Sequence, residues 1–118
     1  MIKKKIFGYL GIAKRGRNLV SGSFMVEKTI KSGRAKLVIV SEDASNNTKK
    51  LFFDKCKFYN VPVFTDFNRY DLGSIIGSNE KVVIAITDNG IANVIEKLFQ
   101  DWRSNESNKW NFKRTKCN

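Results

Sequence analysis

The 118-residue chain contains no histidine. That removes the side chain most often used as a general base or as a neutral metal ligand near pH 7. It also removes every Ser-His or Cys-His nucleophile pair. The two cysteines, Cys56 and Cys117, stand 61 residues apart, which fits neither a metal motif nor a disulfide framework. They read as reduced thiols of a cytoplasmic protein. Proline occurs once, at Pro62, near the start of a short apolar run where a missing N–H donor is tolerated. No apolar run approaches the ~20 residues needed to cross a bilayer. Met1 to Gly8 is basic, but no hydrophobic stretch or cleavage site follows, so it does not read as a signal peptide. Gly8, Gly11, Gly16, Gly22 and Gly33 match neither standard phosphate-loop spacing. These absences point away from an enzyme and from a bound cofactor.

Acids are the next scarcity. The first 40 residues hold ten Lys or Arg and one acid, Glu27, for a net +9. Residues 41–102 hold seven bases and nine acids, and residues 103–118 hold five bases and one acid. The basicity of this +11 chain is therefore localised. A concentrated positive field attracts polyanions and speeds their association. The alternative is a solvated basic face that only aids solubility. With 42% hydrophobic residues and nine Phe, the chain carries enough apolar material for one folded domain.

Its elements alternate. Ile2, Ile6, Tyr9, Leu10 and Ala13 recur at helical spacing, which predicts a helix over residues 2–15. Leu19-Val20 is at most a very short strand, and Ser21-Gly22-Ser23 offers cap chemistry for a helix ending near Gly33. Leu37 to Val40 and Val82 to Thr87 are unbroken apolar runs, as in strands covered on both faces. Ser45 can cap a helix with the stripe Leu51, Phe52, Cys56 and Tyr59, ending at Asn60. Val61 to Phe64 reads as a short strand. Asn68 with Asp71 resembles a capping signal for a helix through Ile76. Ile91, Val94, Ile95, Leu98, Phe99 and Trp102 form the cleanest helical stripe. This order predicts a three-layer α-β-α sandwich around a four-stranded mixed sheet, one domain over residues 1–102. Residues 103–118, with Trp110 and Phe112, read as a flexible basic tail.

Acids occur singly apart from Glu42-Asp43, placed where adjacent carboxylates either hold a metal or accept hydrogen bonds from a neighbouring loop. The stretch from Leu19 to Gly33 carries more chemistry. At 100° per residue, Val26, Thr29, Ile30 and Gly33 share one face, while Phe24, Lys28 and Lys31 lie on the other. Packing through Val26 and Ile30 points an aromatic ring and two lysines outward beside the helix start. Free N–H groups and the helix dipole there make an anion site, which Gly22 and Ser23 would let a phosphate approach. A ring for a base and lysines for phosphates suit a bent or unpaired RNA. The competing placement tucks Phe24 against the first helix and leaves Lys28 merely solvated.

The same residues carry a family resemblance. Gly22-Ser23-Phe24-Met25-Val26-Glu27-Lys28, with Ser32 through Ala44, resembles the core signature of the L-seven-Ae ribosomal-protein family. Cys56, Asn60 to Val63, Asp71-Leu72-Gly73 and Gly77 follow in the family's order. Leu10 to Arg15 and Leu19 to Gly22 resemble its bacterial YlxQ-type branch. The resemblance implies an α-β-α sandwich that binds RNA, in well-studied members a kink-turn, by inserting the start of its second helix into a widened groove. Gly22 sits at the family's glycine, and Lys28 at the lysine that approaches guanine and phosphate. Phe24 and Met25 replace the Asn and Glu that hydrogen-bond sheared G·A pairs in archaeal and eukaryotic members. Ser45 sits where some members hold a Glu against a flipped base. Ser78-Asn79-Glu80-Lys81 is polar, where stronger kink-turn binders are apolar. By analogy with DNA readout each lost base contact removes roughly 1–3 kcal/mol of discrimination, so relaxed or shifted specificity is expected.

The expected interface is therefore Gly22, Ser23, Phe24, Met25, Lys28, Ser45, Ser78 and Asn79, with Lys14, Arg15, Arg17, Lys31 and Arg34 as electrostatic partners. The expected partner is kink-turn-like or ribosomal RNA, in a cytoplasmic ribosomal or ribonucleoprotein setting and without a membrane. The competing class is a protein-interaction module of a translation or RNA-processing complex, with incidental RNA contacts and ribosomal or ribonucleoprotein proteins as partners.

Overall fold

In the computed structural model, residues 2–105 are described. Most of the expected tail, including Trp110, Phe112 and Cys117, lies outside them. The elements run α1 (Ile2–Arg15), β1 (Leu19–Ser21), α2 (Ser23–Lys31), β2 (Leu37–Val40), α3 (Asn46–Tyr59), β3 (Val63–Phe64), α4 (Arg69–Ile75), β4 (Val83–Ile86) and α5 (Asn89–Asn105). The sheet order is β1-β4-β2-β3, antiparallel at the first two pairings and parallel at β2 with β3. It is the mixed four-stranded sheet expected.

Period-two alternation sends the strands' side chains to two cores. Leu37, Ile39, Ile84 and Ile86 face α1, α4 and α5, packing with Leu10, Phe67 and Phe99. Val38, Val40, Val83 and Ala85 face α2 and α3, packing with Val26, Ile30, Phe52 and Cys56. Helices on both faces explain why β2 and β4 are apolar at every position and buried throughout. The result is the three-layer sandwich.

Local chemistry fixes the ends. Ser45 Oγ accepts the Thr48 N–H at 3.1 Å, and Asn60 closes α3 in the left-handed region at φ 61°. Asn68 and Asp71 form a reciprocal capping box at α4. Two expectations need correction. Leu51 and Tyr59 belong to the exposed face of α3, and only Phe52 and Cys56 of that stripe are buried. The last helix also passes Trp102 to reach Asn105, because Arg103 is held there. Its Nη2 lies 2.8 Å from Asp66, and its guanidinium stacks 4.9 Å from the Phe64 ring. No helix among the described residues is long and apolar enough to cross a membrane.

Candidate functional site

The serines flanking Gly22 do not cap α2. Ser21 is spent in the β1 ladder opposite Ile84, and among the described residues no side chain caps the helix start. The N-cap is Gly22, at φ 92° and ψ 146°, backbone that is open to glycine and strained for other residues. Its N–H continues the sheet to Val83 O at 3.0 Å, and its C=O accepts the Val26 N–H at 2.9 Å. The N–H groups of Ser23, Phe24 and Met25 thus precede the first helical bond and face outward on exposed residues. A Cβ built on Gly22 would meet nothing within 4 Å, so the space before this helix start is open.

The side chains there divide as the helical wheel requires. Val26, Thr29 and Ile30 are fully buried, while Phe24 is 75% exposed and Met25 40%. Phe24 is not tucked against α1. Lys28, one turn on, is exposed and has no ion-pair partner among the described residues. Lys31 is drawn to Glu27 at 3.4 Å.

Three loops meet beside this helix start, because β1, β2 and β4 share one sheet end. Gly22 bonds Val83, and Ser41 N–H bonds Val82 O at 2.7 Å. The β1–α2 turn, the β2–α3 loop with Ser45, and the α4–β4 loop with Ser78 and Asn79 all border that end. Arg69 ties the last two together. Its backbone N–H donates to Asp43 Oδ1 at 3.1 Å, its Nη2 to Asp43 O at 2.8 Å, and its Nη1 to Glu80 Oε1 at 3.5 Å. Burial alone would raise the Asp43 carboxyl. The Ser41 hydroxyl, the Arg69 N–H and the Arg69 charge outweigh it and hold the group below its ordinary value. The Asp43 charge in turn raises Arg69. Of the two roles open to Glu42-Asp43, Asp43 takes the structural one.

Gly73 completes the arrangement. A Cβ there would stand 2.6 Å from Glu80 Cα, so only glycine lets the Asn79–Glu80 backbone lie against α4. Sequence reasoning missed both Arg69 and the reason for Gly73. Asp43 and Arg69 are 26 residues apart, and no local pattern links them.

The basic residues are not all gathered here. Lys14, Arg15 and Arg17 close α1, and β1 then starts with Leu19 paired to Ile86. Lys31 and Arg34 close α2, and Lys36 N–H bonds Ile86 O at 2.7 Å. These cations border the Ile86 end of the sheet. The Val83 end lies about 10 Å away along β4 at ~3.4 Å per residue. The ring of charge expected around the α2 start is instead a second group at the opposite end. Ser45 is on the expected loop, but its hydroxyl oxygen is occupied as the α3 cap.

The Ribosomal protein L7Ae/L30e/S12e/Gadd45 family pattern matches residues 4–96. The chain is 48% identical over 92 residues to the RNA-binding protein YlxQ of Bacillus subtilis (strain 168), covering 78% of this chain and 92% of that protein. It is 36% identical over 98 residues to the RNA-binding protein YlxQ of Enterococcus faecium, covering 83% and 94%. A solved structure of a protein with unknown function from Bacillus halodurans C superposes with a TM-score of 0.78 at 41% identity, covering 81% of this chain and 97% of that one. Signature, fold and relatives agree: the chain belongs to the Ribosomal protein L7Ae/L30e/S12e/Gadd45 family, as a member of its YlxQ type.

Proposed function

We propose that this chain is a small, non-enzymatic RNA-binding protein of cytoplasmic ribosomal or ribonucleoprotein particles. It docks the N-terminus of α2 on a bent, kink-turn-like RNA, with relaxed or shifted specificity. The observation that carries the reading is the open start of α2. Among the described residues, three N–H groups without a partner, a glycine with free space before it, an exposed ring and a lysine outside any ion pair stand together there. The relatives' description as RNA-binding proteins supports RNA as the polyanion.

In this mechanism a backbone phosphate sits on the N–H groups of Ser23, Phe24 and Met25, favoured by the helix dipole. Phe24 stacks an unpaired base, and Lys28 reaches a phosphate or guanine edge one turn along. Ser45, Ser78 and Asn79 line the same mouth. Phe24 and Met25 offer no hydrogen bonds to base edges, so shape and backbone, not base identity, set the preference. The second cation group, Lys14, Arg15, Arg17, Lys31 and Arg34, adds sequence-independent attraction. All of this belongs to one domain closed by α5, with the basic tail following it.

The test is to titrate kink-turn RNA with Phe24→Ala and Lys28→Ala. Phe24→Ala is expected to weaken binding about tenfold, since a base–aromatic stack is worth ~1–3 kcal/mol, and Lys28→Ala to weaken it through a lost charge contact, both with unchanged thermal unfolding. Parent-like binding by both variants would remove α2 from the site.

A further inference from the structure

Among the described residues the large hydrophobic side chain most open to solvent is not Phe24 but Phe58, 80% exposed on the last turn of α3. The edge-on ring of Tyr59, 4.9 Å away at 77°, supports Phe58 from one side. Leu51, Lys55 and Phe58 follow i, i+4, i+7 and so form one stripe on α3. Phe24, Lys28 and Lys31 have the same spacing on α2. Each stripe covers about 10 Å at 1.5 Å per residue.

The two stripes lie side by side. Both helices start at the Val83 end of the sheet and run the same way. Glu27 Oε2 joins them, 3.4 Å from Lys31 Nζ and 3.8 Å from Lys55 Nζ. Lys31 and Lys55 therefore share one carboxylate, Lys28 beside them pairs with no acid among the described residues, and the seam stays positive. The nearby Asp54 is matched by Lys50 at 3.1 Å. Exposed rings at both ends of a positive seam form the arrangement that binds an unpaired strand, with bases on rings and phosphates on lysines. A protein groove would instead favour a continuous apolar floor, which the lysines interrupt.

We propose that the outer α2–α3 seam carries a single-stranded RNA segment leading away from the bent element, with one base stacked on Phe58 and phosphates at Lys31 and Lys55. This rests on the α2 docking reading and extends it to a ligand of defined form: a kinked duplex with an unpaired flank.

The experiment compares blunt kink-turn RNA with the same RNA carrying about six unpaired nucleotides, using the full chain, Phe58→Ala and Phe58→Trp. The flank is expected to tighten parent binding about tenfold. Phe58→Ala should lose that gain while binding blunt RNA normally, and Phe58→Trp should keep it. A parent that binds blunt RNA but gains nothing from the flank overturns the seam alone. Equal weakening of both RNAs by Phe58→Ala also overturns it. A parent that binds neither RNA overturns the α2 docking reading and the seam with it. Sedimentation showing a dimer that Phe58→Ala converts to monomer overturns the proposal in favour of self-association.

Discussion

The two ends of the sheet are built from different materials. At the Val83 end backbone dominates: the uncapped N–H groups of α2, the open space at Gly22, and loops fixed by Arg69 and Gly73, with the Phe24 ring and Lys28 as the exposed side chains beside them. At the Ile86 end they are long cationic side chains at the ends of α1 and α2. Backbone groups held by a sheet have a fixed spacing and answer to the shape of a ligand. Flexible cations answer to its charge and weaken with salt. On the functional reading proposed above, one end selects bent RNA and the other adds affinity for any RNA.

The Val83 end is most vulnerable at Gly73. Gly73→Ala drives a Cβ into the Glu80 backbone and is expected to cost about 1–3 kcal/mol. Urea unfolding measures that loss, and the displaced Ser78–Asn79 loop should lower affinity for kinked RNA more than for straight duplex. Next in size is the opposite end. Arg17→Ala with Arg34→Ala should weaken kinked and straight RNA alike, each lost phosphate contact lowering the salt slope by about 0.7–0.9. A loss confined to kinked RNA would contradict the division.

How far the sequence discloses this division depends on the range of the forces involved. The apolar runs at Leu37–Val40 and Val83–Ile86 and the caps at Ser45 and Asn68 are legible because each is decided within a few residues. Phe24 and Lys28 are legible as outward-facing because Val26 and Ile30 commit the opposite face of α2. The Gly22 cap is not, since Ser21 and Ser23 are better cap residues until strand pairing claims Ser21. Leu51 and Tyr59 mislead because α3 packs through Phe52 and Cys56, with Phe53 partly buried beside them, and leaves those two side chains exposed. Nor can charge counts reveal that Lys14, Arg15 and Arg17 stand away from the α2 start. The antiparallel β1–β4 register decides that, and it pairs residues 67 and 63 positions apart, Leu19 with Ile86 and Ser21 with Ile84.

Arg17 at the Ile86 end sets charge against stability. It closes α1 in the left-handed region at φ 62°, where a non-glycine residue costs roughly 1–2 kcal/mol, partly offset by glycine's greater freedom when unfolded. Arg17→Gly is expected to raise stability by about 0.5–1 kcal/mol in urea unfolding, while lowering the salt slope of RNA binding. Such a trade would mark the arginine as retained for its charge.

The smallest effect concerns pH. The folded protein holds the Asp43 carboxyl below its ordinary value of 3.8. Its contribution to stability is therefore fully present above that pH and is lost as pH falls through the lowered folded value. Asp43→Asn should flatten acid unfolding slightly in that range only, and leave the Ile86 end unaffected.

The most direct measurement is a titration of kink-turn RNA and an unkinkable mutant of it at two salt concentrations. Raising salt should weaken both together while the kinked RNA keeps an advantage of about tenfold, a difference of ~1.4 kcal/mol. Equal affinities at both concentrations would contradict it, leaving charge as the whole of recognition.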